Sequence, residues 1–298
     1  QLTVIMTKNS FSTRLREARL MMGFSMDKLV ERTHGAITKQ SISRYEKGIM
    51  RPKRDALKAI SNALNISEEY FEGTYLKIDM PMLRTRSNGK LSNDELEALE
   101  AKISFWAEQY ITKEKEAEFQ NRFTNPIKGS IVSTTEDAML AANLLREKWH
   151  CGDGPIASIL RLFERKGIKI LAANLPENVF GLSTWADKRH PLIILDLRAD
   201  KSSVERLRFT AVHELAHLLL KLPDDSPLTV EKRCDMFASF FLLPKQALIE
   251  ELGSKKRELI TLDEMIDIKE QYGISLAASI IATRDYGVIT TEYKRAWY

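Results

Sequence analysis

Only two cysteines, Cys151 and Cys234, occur in 298 residues. That scarcity excludes a disulfide framework and points to a reducing compartment. No apolar run approaches the ~20 residues that a membrane-spanning helix requires. Residues 1–10 lack the apolar core and small-residue cleavage site of a secretory signal, so the cytoplasm is the expected location, with no membrane partner. Gln1 is not an initiator residue, so the expected start is Met6 unless the chain carries extra residues. Low-complexity segments and internal repeats are missing as well. What remains is a globular composition, 44% hydrophobic and 29% charged, long enough for two domains.

Histidine is also scarce. Of five, two fall in Phe209-Thr-Ala-Val-His213-Glu214-Leu-Ala-His217-Leu-Leu-Leu220, an apolar, helix-forming stretch. Residues four apart share a helix face, so His213 and His217 can present two imidazoles to one metal ion. Glu214 stands about 100° round from His213, within reach of a water at that metal without ligating it. Two neutral imidazoles, an open coordination position and a carboxylate base are what a zinc hydrolase needs. A packed helix that happens to carry two histidines is the bland alternative.

A third ligand is expected nearby. Cys234, Phe237, Ala238, Phe241 and Leu242 follow i, i+3, i+4, i+7, i+8 and form one buried helical stripe, on which Cys234 reads as core. Glu231 and Asp235 lie four apart at its edge. A divalent metal would satisfy Glu231, and Asp235 could orient a ligand histidine through its second ring nitrogen. Two first-turn acids held by the helix dipole would look the same by spacing alone.

The run F-T-x-x-H-E-x-x-H-L-L followed by E-x-x-x-D-x-F-A-x-x-x-L-x-P resembles the ImmA/IrrE metallopeptidase family, over about residues 150–285. The resemblance implies a gluzincin-like fold, a zinc ion (Zn2+) on His213, His217 and Glu231, Glu214 as the catalytic base, and protein substrates. Members of the family often regulate repressors in stress responses or mobile elements. The donor that would stabilise an oxyanion is open: Tyr286, Arg284, His190 and His150 are candidates, each with a structural role as the alternative.

Charge separates the N-terminal quarter from the rest. Residues 1–75 hold 13 Lys+Arg against 8 Asp+Glu, a balance of +5 that leaves −1 for the remainder of a chain of net charge +4. A polyanion partner is one reading and a solvated face the other. Periodicity predicts five short helices here. Ser12 caps one carrying Leu15, Ala18 and Met22 and ending at Gly23; Ser25 caps a second with Leu29 and Val30. Thr38 starts a third, Pro52 opens a fourth with Ala56, Leu57, Ile60, Ala63 and Leu64 inward, and Ser67 begins a fifth.

The third helix turns Thr38, Lys39, Gln40, Ser41, Arg44 and Lys47 outward. Gln can read adenine, Arg and Lys can read guanine, and hydroxyls can grip phosphate. From Ser41-Ile-Ser43-Arg-Tyr-Glu46-Lys-Gly48 through Pro52 the stretch resembles the lambda-repressor/Cro class of helix-turn-helix domains, the XRE type. That resemblance implies a third helix in the major groove of double-stranded DNA and a homodimer on two half-sites. Met26 stands where the class usually has a glutamine, which removes one expected backbone contact.

Between these regions, residues 76–93 read as a turn-rich linker with Pro81, Arg84, Arg86 and Gly89. A helix is predicted over 93–120, with Leu96, Leu99, Ile103, Trp106 and Tyr110 on one side, serving as a strut, a dimer contact or a lid. A further break falls near Asn125-Pro126. Beyond it, helices are predicted at 134–150, 155–166, 262–271 and 275–286, and short strands at 168–171, 179–183 and 192–195. The expected class is α+β: an all-α helix-turn-helix domain (1–75), a helical linker (76–130) and a metallopeptidase domain with a small sheet (131–298).

Three functions fit. One is a DNA-binding regulator carrying an endopeptidase that cleaves a partner repressor or tunes its own activity, cytoplasmic and nucleoid-associated. Another is a transcription factor whose second domain senses or binds without turnover. The third is an antitoxin that holds a toxin.

Overall fold

The computed structural model describes residues 10–73, 92–119, 122–198, 200, 203–224, 228–253, 257 and 260–288. The possible start at Met6 and nearly all of the predicted 76–93 linker lie outside them. The chain divides into two compact units, residues 1–119 and 120–298. Thirteen helices and three strands are present among the described residues, an α+β architecture. No helix there is long and apolar enough to cross a membrane.

The first unit contains α1 (Ser10–Met21), α2 (Met26–Arg32), α3 (Lys39–Glu46), α4 (Arg54–Leu64), α5 (Glu68–Glu72) and α6 (Asn93–Glu116). Ser25 and Thr38 cap α2 and α3 by accepting from Lys28 N and Ser41 N, satisfying backbone donors the first turn would leave open. Leu15, Ala18, Leu29, Ile42, Ile60, Leu64 and Phe71 fill the core with no exposed surface. Two predicted starts move. Ser12 lies inside α1 and is buried, because Phe11 packs into the core against Phe71, centroids 5.8 Å apart, and draws the preceding turn into the helix. Helix α4 begins at Arg54 behind Lys53, two residues after Pro52.

Helix α6 starts with a reciprocal cap, Ser92 accepting from Glu95 N while the Glu95 carboxylate accepts from Ser92 N. It packs against α1 through Leu96, Ala101, Ile103, Ala107 and Ile111. Trp106, predicted on the packed side, is 52% exposed, because the buried stripe runs through Ala107 instead. Arg14 and Arg16 of α1 reach Glu108 and Glu97 of α6, and the Arg14 guanidinium stacks over the Tyr70 ring at 4.6 Å.

The second unit holds α7 (Thr135–Trp149), α8 (Ile159–Arg165), β1 (Lys169–Ala172), β2 (Gly181–Ala186), β3 (His190–Leu195), α9 (Val204–Leu219), α10 (Val230–Leu242), α11 (Lys245–Leu252), α12 (Leu262–Tyr272) and α13 (Leu276–Asp285). The sheet order is β1-β3-β2, with β1 parallel and β2 antiparallel to the central β3. β3 is buried from Pro191 to Leu195, as an apolar run flanked on both edges should be. Helix α9 lies against β2 and β3, and α10 packs between α9 and α7.

Three buried or half-buried arginines bind this unit's loops. Arg146 donates to the carbonyls of Gly152, Gly154 and Phe241, and Arg233 to those of Val132 and Pro223. Arg208 donates to Ile156, Ala157, Tyr272 and Gly273. Carbonyls used this way are oriented toward guanidinium groups, so the helix predicted from 155 starts only at Ile159, capped by Ser158. Helix α11 was not predicted.

Candidate functional site

Helix α9 is capped by Ser203 and carries His213, Glu214 and His217 on consecutive turns. Its approach to the sheet depends on Gly181: a Cβ there would stand 2.5 Å from Thr210 Cγ2 and 3.1 Å from Glu214 Cγ. Close contact of helix and strand is what requires the glycine, since its φ is ordinary. The same contact brings Ser183 of β2 to Glu214, whose Oε2 accepts from Ser183 Oγ at 2.7 Å. Glu214 is 2% exposed.

Helix α10 supplies the opposite wall. His213 Nε2 lies 3.1 Å from Glu231 Oε2 and 3.2 Å from His217 Nε2, and His217 Nε2 lies 3.5 Å from Glu231 Oε1. Ligands about 2.0–2.1 Å from a tetrahedral zinc are separated by about 3.3 Å. The separations are close to that value, with the two Glu231 oxygens divided between the two histidines, and the residues fit zinc. The other ring nitrogen, His213 Nδ1, is 2.8 Å from Asp235 Oδ1, which fixes the tautomer with Nε2 turned to the donors. Burial lowers the affinity of His213 for a proton, but its hydrogen bonds to the Asp235 and Glu231 carboxylates and the charge of Glu214 outweigh it, raising its pKa to about 9. The donor set is thus built to hold positive charge.

Cys234 is fully buried, and its Sγ and one ring nitrogen each of His213 and His217 all lie within 4.8 Å of one another. The stripe pattern anticipated the burial of Cys234 but not this proximity. Ser183 was missed altogether; a polar residue in a short β-rich run gives no hint of a partner 31 positions away. The oxyanion candidates have other occupations. Tyr286 Oη donates to Leu243 O at 2.8 Å, Arg284 pairs with Asp285, and His150 closes α7 in the left-handed conformation. His190 opens β3.

In the first unit, Ile42 and Tyr45 anchor α3 while Thr38, Lys39, Gln40, Arg44 and Lys47 are exposed and Ser41 is half-buried. The Thr38 hydroxyl is engaged in the cap, 3.0 Å from that of Ser41, and Lys39 Nζ lies 2.7 Å from Asp27. The far end of α3 is held by Glu46, which accepts from Arg19 at 2.6 and 2.9 Å, while Arg19 also donates to Phe24 O. This bidentate pair fixes α3 against α1 and the turn after α1.

Two such units, a helix-turn-helix with an exposed third helix and an α+β unit with a histidine–carboxylate cluster, define a DNA-binding regulator with a peptidase-like domain. Residues 15–71 match the family model described as helix-turn-helix, and residues 163–281 match that of peptidase family M78, described as the IrrE N-terminal-like domain. The chain is a fusion of an XRE-type helix-turn-helix domain with an ImmA/IrrE-like domain. No curated protein matches it.

Proposed function

We propose that the second unit is a zinc-dependent endopeptidase acting on a protein partner such as a repressor, and that the first unit directs the chain to double-stranded DNA. The observation that carries the reading is the convergence of His213, His217 and Glu231 donor atoms, at separations near those of zinc ligands, beside a buried carboxylate. A zinc ion bound there supplies a Lewis acid that polarises the scissile carbonyl and acidifies water. Glu214 accepts the water proton and returns it to the departing amine. Ser183 holds the Glu214 carboxylate on the helix side of β2, and Asp235 keeps His213 in the ligating tautomer.

On DNA, Gln40, Arg44 and Lys47 would meet base edges and nearby phosphates, with Lys39 and the Thr38 and Ser41 hydroxyls at the backbone. A homodimer on two half-sites is the arrangement expected for this type of domain.

The test begins with metal. The purified chain should hold about one zinc, lost in Glu231→Ala; a wild type that takes up no zinc even when supplied would end the metallopeptidase reading. Cells producing wild type or Glu214→Gln are then compared by labelling new protein N-termini. Glu214→Gln should retain zinc and lose about 10²–10⁴-fold in cleavage rate, the range for a positioned base. Termini that appear equally in both would remove Glu214 from the chemistry. Zinc without any new termini would mean a non-cleaving sensor or a peptidase whose metal is blocked.

A further inference from the structure

We propose that Cys234 is a fourth protein donor to the metal, so that the resting centre is His2GluCys and has no open position. This rests on the reading of His213, His217 and Glu231 as zinc ligands, and adds to it a means of control.

The argument begins with spacing on α10. Glu231 and Cys234 are three residues apart, and Asp235 is four from Glu231, so all three lie on the face turned to α9. Two of these already touch His213. The thiol has no exposed surface, whereas the Glu231 and Asp235 side chains are more than half exposed. Its Sγ shares a 4.8 Å neighbourhood with nitrogens of both histidines. In a tetrahedral site with zinc–sulfur near 2.3 Å and zinc–nitrogen near 2.0–2.1 Å, sulfur and nitrogen stand about 3.6 Å apart. A contraction of at most about 1.2 Å between sulfur and each nitrogen would bring the thiol to that distance.

Chemistry favours the fourth bond. Zinc binds thiolate avidly, and two histidines, one carboxylate and one thiolate form a closed coordination shell. Catalytic zinc sites keep a position open, whereas closed sites are structural. With Cys234 bound, water has no place at the metal, and Glu214 has no proton to take. Hydrolysis then requires that the thiolate be displaced or chemically capped. The protein is held silent by its own buried thiol until something removes that thiol from the metal.

Cobalt(II) added to the metal-free full-length chain tests this without any substrate. The wild type should show an intense near-ultraviolet thiolate-to-cobalt absorption together with the visible bands of tetrahedral cobalt. Cys234→Ser should lose the near-ultraviolet band and keep the visible ones, shifted, while Cys151→Ser changes neither. Visible bands without the near-ultraviolet band in the wild type would overturn the Cys234 bond and leave the three-ligand site standing. A near-ultraviolet band that survives Cys234→Ser would also overturn it. No cobalt bands of either kind would remove both the bond and the site beneath it. X-ray absorption of the zinc-loaded wild type gives an answer independent of any variant: one sulfur at about 2.3 Å is expected, and a shell of only nitrogen and oxygen at about 2.0–2.1 Å overturns the proposal.

Discussion

Helix α3 keeps Gln40, Arg44 and Lys47 in solvent while Ile42 and Tyr45 anchor it; helix α9 turns His213, Glu214 and His217 inward, where α10 and β2 meet them. The side chains of His213 and His217 are only 12% and 15% exposed. A surface reader needs rigid support and little else, because each exposed side chain acts on its partner nearly independently. A buried constellation needs several elements placed together, so its members are coupled and their removal is not additive. The two units should therefore fail in different ways.

The largest effect expected outside the histidine–carboxylate cluster comes from the support of α3. Arg19 and Glu46 are 7% and 3% exposed, and replacing one member of a buried pair strands the other. Arg19→Ala should cost about 3–5 kcal/mol and unfold the first unit near ambient temperature. Zinc content of the second unit should be unchanged. If DNA binding and the melting of the first unit survive Arg19→Ala, the contrast loses its first leg. Next is Gly181→Ala, where the added methyl meets Thr210 and Glu214. A cost of about 1–3 kcal/mol is expected from overpacking, with weakened zinc uptake because α9 must shift. Thermal melts with and without zinc measure both, and DNA affinity should not follow.

How much of this was legible in sequence depends on the range of the interaction. Helix starts at Ser25, Thr38, Ser67 and Thr134 are legible from neighbouring residues, and the helix and strand limits mostly fall within a few residues. His213, His217, Glu231 and Asp235 were legible because helical spacing alone places each pair on a face. Ser183, Gly181 and the nearness of Cys234 to the histidines were not. Each depends on how closely β2, α9 and α10 approach, which no local pattern encodes. Arg14, Arg146 and Arg233 count as surface charge in any tally of composition, yet all three are buried and bind distant groups. The helix predicted from 155 failed for the same reason, since the guanidinium groups that claim its carbonyls lie elsewhere in the chain.

A smaller effect separates reading from gripping on α3. Arg44→Ala should cost about 1–3 kcal/mol at specific sites and relax base preference. Lys47→Ala should weaken all sequences alike and reduce the slope of log affinity against log salt by about one. Binding of random and selected duplexes across a salt series distinguishes the two. Identical behaviour of both variants would mean that α3 holds phosphate and does not read sequence.

The smallest effect concerns how each unit meets acid. In the first unit, Lys28 and Glu31 pair within one helix, three residues apart and well exposed, and the pairing lowers the Glu31 pKa. Such a contact persists in any helical fragment and contributes little. In the second unit, Glu205 near the start of α9 accepts from Lys269 of α12 at 2.8 Å, and that hydrogen bond is the main cause of a Glu205 pKa near 2. A carboxylate whose folded pKa is depressed contributes its stability above the unfolded pKa, about 4.3 for glutamate, and loses it as pH falls through the folded value. Between about pH 4.3 and 2, the second unit should lose stability that Glu205→Gln never had. Denaturant midpoints of the second unit in wild type and Glu205→Gln should therefore converge over that window and differ by a constant amount above pH 5. Because Lys269 is about a third exposed, the difference should shrink in high salt as well. Parallel acid limbs in the two proteins would mean that the pair does not hold α9 to α12, and that α9 is kept against α12 by packing and by Arg208.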